Sequence, residues 1–209
     1  MSKGLAWLAL ALCLLLGLGA LGLHSVGMSP INLPANIAVG TGMGAKLACS
    51  SHFLSGFDED QIREDLATYS PAIDWFTITL DEDAQRASVD LLGLFSASAT
   101  YRRGIGCTLD QPDMSLLDSL KQRTAATVDE SRLWPVGPRV AEADSRLVNA
   151  LNQSLAADQG EGLQTRALVM VLGGEIVAEA YAAGITADTP LMGWSQGKSL
   201  TSLMIGWLQ

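Results

Sequence analysis

A serine and a lysine in the last third of the chain have the spacing of a nucleophile and its base. Ser195 and Lys198 lie three positions apart in the run LMGWSQGKSLTSLMIGWLQ. On a helix, residues three apart share a face, so the lysine amine can lie beside the serine hydroxyl. An amine kept uncharged by burial and by the positive end of the helix dipole can accept the serine proton. The ordinary alternative is a helix-capping serine followed one turn later by a surface lysine.

The histidine content supports Lys198 as the candidate base. The only two histidines of the chain, His24 and His52, precede the segment around Ser195 by more than 100 positions. A Ser-His-Asp triad built within this segment is therefore excluded, and the base of a nucleophilic Ser195 is either Lys198 or a group outside this chain. The backbone N–H of Ser195 is a candidate donor to a developing oxyanion.

Local patterns predict the elements that would position this pair. A helix is predicted from Pro138 to Gly160 or Gly162, because apolar residues recur at helical spacing at Val140, Ala143, Leu147, Leu151 and Leu155. The runs ALVMVL (167–172) and EIVAEAYA (175–182) predict two strands joined by the turn Gly173-Gly174. The helix of Ser195 follows, and apolar residues cover most of its circumference. Such a helix needs burial on most sides, and two strands and one amphipathic helix are too little to cover it.

These residues resemble a known enzyme family. The run VMVLGGEIVAEAYAAGITADTPLMGWSQGKSLTSLMIG resembles the serine β-lactamase and DD-peptidase superfamily. More narrowly, it is similar to the class C-related serine hydrolases, which include 6-aminohexanoate-dimer hydrolases and esterases. DESRLWPVG, Asp129 to Gly137, resembles the run-in to that domain. The resemblance covers about residues 130 to 209. It implies a mixed α/β fold, with an antiparallel β-lactamase/transpeptidase-like sheet flanked by helices.

The resemblance also implies a reaction. Ser195 would be the nucleophile, Lys198 the base, and an acyl-enzyme the intermediate. The substrate would be a small or peptide-like molecule with an amide, lactam or ester bond, and no cofactor or metal is implied. Family members carry a Tyr-x-Asn motif and a Lys- or His-x-Gly strand further downstream, and Tyr181 cannot take the tyrosine role because it precedes Ser195. We therefore expect these 209 residues to be the N-terminal part of such an enzyme, inactive alone.

The N-terminal half of the sequence predicts an exported protein with an extension before the domain that begins at residue 129. Lys3 precedes an uncharged apolar run, Ala6 to Leu23, which has the outline of both a bilayer-crossing anchor and a cleaved secretory signal. Both alternatives imply a protein of the cell envelope, either anchored in the inner membrane or periplasmic. The predicted organisation is a signal or anchor (1–27), a linker rich in Gly, Pro and Asn (28–46), an extension (47–128) and the start of the hydrolase domain (129–209). The extension is expected to contain a strand or two within ASVDLLGLFSASATYRRGIG.

The net charge argues against a nucleic-acid partner, and the cysteines predict a disulfide rather than a metal site. A net charge of −9 leaves no basic surface for nucleic acid. Cys49 and Cys107 are predicted to form a disulfide, because an exported protein meets an oxidising compartment. A metal site built on Cys49, His52 and Cys107 would lack a fourth ligand.

A dinucleotide cofactor is not predicted either. The spacing Gly17, Gly19, Gly22 matches a dinucleotide-binding fingerprint, but no strand precedes it.

Three functions remain open at the level of sequence. The first is an exported serine hydrolase, anchored in the membrane through its N-terminal apolar segment or released from it. The second is a non-catalytic, membrane-anchored envelope protein or pseudoenzyme that keeps the front of the fold. The third is an unrelated membrane-bound Ser/Lys protease, which requires the hairpin match to be a coincidence.

Overall fold

The chain folds into two compact units, residues 1–122 and 123–209. The computed structural model describes residues 3–25, 29, 31–120 and 127–208. The elements of unit 1 are α1 (Lys3–Ser25), α2 (Leu33–Phe53), α3 (Glu59–Ala67), a 3₁₀ helix (Pro71–Trp75), β1 (Phe76–Asp81), β2 (Arg86–Leu91), β3 (Phe95–Arg102), β4 (Gly106–Leu109) and α4 (Ser115–Ser119). Those of unit 2 are α5 (Ser145–Gly160), β5 (Ala167–Leu172), β6 (Glu175–Tyr181) and α6 (Gln196–Trp207). The protein is therefore mixed α/β.

Unit 1 is built on a four-stranded antiparallel sheet with the strand order β1-β2-β3-β4. Alternate side chains point to one face, where they form the core with α2; the fully or nearly fully buried members are Ile78, Ala87, Val89, Ala99 and Cys107. This period of two is that of a half-buried sheet. The sequence indicated a strand or two here, and the structure has three strands within and beside that run plus β1 before it. β1 carries the same alternation, at Phe76, Ile78 and Leu80.

The predicted linker over residues 28–46 is wrong for residues 33–46, which belong to α2. The prolines and glycines that suggested a linker have other uses there. Pro34 lies in the first turn of the helix, where its missing N–H costs nothing. Gly42 and Gly44 are buried, and a Cβ on Gly44 would lie 3.4 Å from the Val89 side chain. The glycines thus let the helix approach the sheet closely, and that packing outweighs their low helix propensity.

The predicted disulfide between Cys49 and Cys107 is confirmed. It joins α2 to β4 across a sequence separation of 58 residues, and both cysteines are buried in the core of unit 1. The Lys46 amine, one turn earlier on α2, donates a hydrogen bond to the Cys107 carbonyl. The same helix is therefore fixed to the same strand by a covalent and a polar link.

α1 contains the apolar run of the N-terminus. Its leucines, where their side chains are described, are exposed around the helix, from Leu5 to Leu21. Over the residues that the structure describes, none of the helices combines the length and the apolar character needed to cross a bilayer. Gly17, Gly19 and Gly22 lie inside this helix. They therefore do not form the turn between a strand and a helix that a dinucleotide phosphate requires.

Unit 2 contains the predicted helix, hairpin and final helix in the predicted order. α5 begins at Ser145 rather than at Pro138, because the Asp144 carboxylate accepts the backbone N–H of Arg146 and caps the helix there. It ends at Gly160, as expected. β5 and β6 form an antiparallel hairpin, and Ile176, Ala178 and Ala180 are the buried side of β6. The predicted hairpin is thus confirmed.

One charged contact ties the end of α2 to the β1–β2 turn. His52 Nδ1 lies 2.8 Å from the Phe57 carbonyl oxygen, and Nε2 lies 2.6 Å from Glu82 Oε1. Both partners are hydrogen-bond acceptors, so the two bonds together require a proton on each ring nitrogen. Burial lowers the pKa of His52, but the Phe57 carbonyl and the Glu82 carboxylate outweigh it, and the pKa is raised above its usual value. The charged form is therefore favoured in the folded state.

This contact should make the stability of unit 1 depend on pH. Because the folded-state pKa of His52 is raised, its contribution is complete below the unfolded-state pKa of about 6.5 and is lost as pH rises through the folded-state pKa. Glu82→Gln should move the His52 pKa, measured by NMR titration, back toward its ordinary value. Asp83→Asn in the same turn is the matched control and should move it little. Equal pKa values in the parent protein and Glu82→Gln would contradict the assignment.

Candidate active site

Ser195 lies immediately before the first residue of α6, after a residue with an unusual backbone. Trp194 has a φ of +40°, which L-residues other than glycine and asparagine rarely adopt. Ser195 then returns to helical geometry, with φ −69° and ψ −8°. A left-handed residue before the helix turns the chain sharply, so that the serine lies at the very start of α6. Strain of this kind is concentrated at functional sites, and the sequence pattern did not reveal it.

The two candidate residues are in direct contact. Lys198 Nζ donates a hydrogen bond to Ser195 Oγ over 2.9 Å. Ser195 occupies the capping position of α6, yet its side chain makes no capping bond to the backbone. The ordinary interpretation of a capping serine beside a surface lysine is therefore met in part, because Lys198 is a surface lysine but the Ser195 side chain does not cap the helix. The serine oxygen is instead held by the amine that the spacing predicted.

The first turn of α6 offers one backbone donor for an oxyanion. The N–H groups of Gln196, Gly197 and Lys198 donate to the carbonyls of Gly193, Trp194 and Ser195, at 2.8, 3.2 and 3.0 Å. These three groups are thus engaged within a tight first turn. The Ser195 N–H lies before that series and is the candidate donor to an oxyanion at this site.

The apolar side chains of α6 are exposed within unit 2. Leu200, Leu203, Met204 and Trp207 are 63, 71, 70 and 91 % exposed. The hairpin and α5 thus leave this helix uncovered within unit 2, as the sequence indicates. In unit 2, α5 packs mainly on β6, so the hairpin and α5 cover each other rather than α6. Ser195 and Lys198 are exposed as well.

The loop that leads to Ser195 is organised by two threonines. The Thr186 backbone N–H donates to Thr189 Oγ1 over 2.9 Å, and the Asp188 N–H donates to Thr186 Oγ1 over 3.3 Å. Such side-chain bonds fix a turn without regular secondary structure. The turn is followed by Pro190 and by Gly193, whose carbonyl accepts the first backbone bond of α6. The approach to the serine is thus set locally by the run TADTPLMG.

Tyr181 is hydrogen-bonded to a neighbouring side chain of the hairpin. Its hydroxyl donates to Glu179 Oε1 over 2.8 Å. Partial burial, together with the Glu179 and Asp188 carboxylates, raises the pKa of Tyr181 to about 12. A phenol with this pKa stays protonated at neutral pH. No described group of three or more His, Cys, Asp or Glu side chains has an arrangement that could hold a metal ion.

Comparison with known proteins identifies no relative of this chain. No protein-family model matches the chain, no curated protein is significantly similar to it, and no solved structure matches its fold. The assignment of function therefore depends on the residues themselves and on the geometry around Ser195.

Proposed function

We propose that the protein is a serine hydrolase that acts on amide, lactam or ester bonds through an acyl-enzyme, with Ser195 as nucleophile and Lys198 as base. The observation that supports this most strongly is the 2.9 Å contact between Lys198 Nζ and Ser195 Oγ. The order of helix, hairpin, loop and Ser-x-x-Lys helix supports the same family of enzymes, the class C β-lactamase-related hydrolases. No cofactor is needed for this chemistry.

The reaction begins with the neutral form of the Lys198 amine. As Ser195 Oγ attacks the substrate carbonyl carbon, its proton passes to Lys198 Nζ, and the carbonyl oxygen becomes an oxyanion near the Ser195 N–H. The tetrahedral intermediate then collapses. The bond to the leaving nitrogen or oxygen breaks, that atom takes the proton from Lys198, and the acyl group stays on Ser195. Attack by water on the acyl-enzyme releases the acid and restores the serine.

A covalent probe tests this proposal directly. A fluorophosphonate probe applied to the full-length protein should form a bond from phosphorus to Ser195 Oγ and release fluoride, which mass spectrometry would locate on the peptide containing Ser195. Ser195→Ala should abolish the label. Ser202→Ala, on the same exposed helix, is the matched control and should keep it. Labelling that survives Ser195→Ala removes the assignment.

A second function is favoured by one observation, the exposure of Ser195 and Lys198 in unit 2. An active serine hydrolase acts in a site from which water is largely excluded, because the electrostatic stabilisation of the oxyanion depends on it. The alternative is therefore a non-catalytic envelope protein or pseudoenzyme that keeps the front of the fold. Absence of label on Ser195 in the parent protein, with folding confirmed by circular dichroism, would favour this alternative.

Location in the cell envelope belongs to the same proposal. The Cys49–Cys107 disulfide supports an oxidising compartment, because such bonds rarely persist in the cytosol. The exposed apolar side chains of α1 support contact with lipid at the N-terminus. The acidic net charge supports a substrate other than nucleic acid.

A further inference from the structure

Three of the most exposed apolar side chains of unit 1 lie at one end of its sheet. Trp75, Leu92 and Leu94 are 71, 74 and 77 % exposed. Leu92 and Leu94 belong to the turn between β2 and β3, and the pairing of Phe76 with Leu91 brings Trp75 beside the same turn. We call these three residues the apolar tip. Large exposed apolar groups that cluster in this way mark interaction sites.

The backbone of the apolar tip is strained as well. Leu92 has a φ of +56° and Gly93 a φ of +70°, and the Leu94 N–H donates to the Leu91 carbonyl over 3.1 Å. A two-residue turn with both central residues at positive φ favours asparagine, aspartate or glycine at its first position. A leucine there costs folding energy through its backbone and gains little from burial. Leu92 combines an unfavourable backbone conformation with an exposed apolar side chain, and such a combination points to a function.

The start of α2 lies toward the apolar tip. Along α2, Gly44 lies against Val89, near the tip end of β2, and His52 lies against Glu82, at the opposite end of the sheet. The N-terminal half of α2 therefore extends in the direction of the tip. α1 is joined to Leu33 by eight Cα–Cα steps from its last residue, which limits the separation of the two helices to roughly 28 Å. The exposed apolar helix is thus tethered to the tip end of unit 1.

Acidic side chains are concentrated at the end of the sheet that lies away from the apolar tip. The far end of the sheet carries the acidic turn Asp81, Glu82 and Asp83, all exposed. The acidic first turn of α3 lies at this end too, because His52 contacts both Glu82 and Phe57, which precedes α3. At the tip, the Asp90 carboxylate is engaged with the Gly93 N–H over 2.6 Å. The far end of the sheet is therefore densely acidic, whereas the tip end carries the bonded Asp90 and the exposed Asp74 beside its three apolar side chains.

We propose that the apolar tip docks unit 1 on the surface of a phospholipid bilayer, with the acidic end directed away from it. Tryptophan and leucine are suited to the lipid–water interface, where their apolar parts leave water. The tether to α1 favours lipid over a second copy of the chain, and the acidic end favours one orientation. The docking does not require α1 to cross the bilayer. It concerns unit 1 alone and holds whether or not Ser195 is a nucleophile.

Nitroxide labels at the two ends of the sheet test the proposal. The full-length protein, with Cys13→Ser and the disulfide intact, carries one label at Leu94→Cys or at Asp83→Cys. It is reconstituted in phosphatidylcholine–phosphatidylethanolamine vesicles. Oxygen concentrates in lipid, whereas a nickel chelate stays in water. The ratio of oxygen accessibility to nickel-chelate accessibility should therefore be severalfold higher at position 94 than at position 83. Equal, water-like ratios would overturn the proposal, and so would exclusion of both reagents from position 94, which would indicate a protein contact.

The substitution Leu92→Asn distinguishes a loss of docking from a loss of folding. Asparagine tolerates the left-handed conformation, so this change should preserve or raise the thermal stability of unit 1. It also removes one of the three apolar side chains that would enter the lipid, and the equilibrium constant for docking, derived from the label at position 94, should fall by about tenfold or more. An unchanged label ratio in Leu92→Asn would show that the tip is not held by its leucine, against the proposal.

Discussion

Lys198→Arg should slow the acylation of Ser195 by about 10²- to 10⁴-fold, the usual contribution of a general base. Arginine keeps the positive charge and can still donate to Ser195 Oγ, but it does not give up its proton in proteins and so cannot accept that of the serine. The measurement is the rate of fluorophosphonate labelling of the full-length protein. A structural role for the lysine would leave this rate almost unchanged in Lys198→Arg.

The same experiment has an internal control on α6. Thr201 donates through its hydroxyl to the Gly197 carbonyl over 2.9 Å, and it lies six positions after the proposed nucleophile. Thr201→Val should therefore keep the labelling rate of the parent protein. Lys198→Ala offers a second readout, because a small primary amine added to the buffer should restore part of the lost rate. If Lys198→Arg labels at the parental rate, another group is the base.

Removing the disulfide is expected to have the largest effect on stability. Replacing Cys49 and Cys107 by alanine releases a closed loop with a sequence separation of 58 residues. The chain-entropy model assigns about 4 kcal/mol to a loop of this size, which corresponds to about 10³-fold in the unfolding equilibrium. Hydrogen exchange of β2 and β3 amides measures this loss within unit 1 alone, independently of unit 2.

Cys13→Ser provides the comparison for that measurement. Cys13 is a free, exposed thiol in α1, so its replacement should leave the protection of the β2 and β3 amides unchanged. Glu82→Gln should lower the protection only modestly and mainly at low pH, where the His52 contact is complete. Retention of full protection after loss of both Cys49 and Cys107 would mean that noncovalent packing alone fixes α2 on the sheet.

The elements around Ser195 could be predicted because their signals are local. The period of two in β6, the two glycines of the hairpin turn and the three-residue spacing from Ser195 to Lys198 each specify geometry over a few residues. The start of α5 was misplaced because Pro138 and Asp144 are both acceptable helix starts, and a hydrogen bond of the Asp144 side chain decides between them.

Unit 1 was harder to predict because its elements depend on one another. α2 contains Gly40, Gly42 and Gly44 at alternate positions, a pattern typical of a linker, but Gly42 and Gly44 lie against the sheet and the segment is helical. Two features depend on strand register, which the sequence did not specify: the placement of Trp75 beside Leu92, and that of Glu82 beside His52. The left-handed backbone of Trp194 was likewise invisible, because tryptophan carries no signal for positive φ.

The bond between Cys49 and Cys107 also encloses β1, β2 and β3 within one covalent ring. A protease that cut the chain once, anywhere between these two cysteines, would produce two fragments that remain attached to each other. Such a molecule would migrate as a single band without reductant and as two bands with it. Cleavage in the turns of this sheet would therefore escape notice wherever the bond stays oxidised.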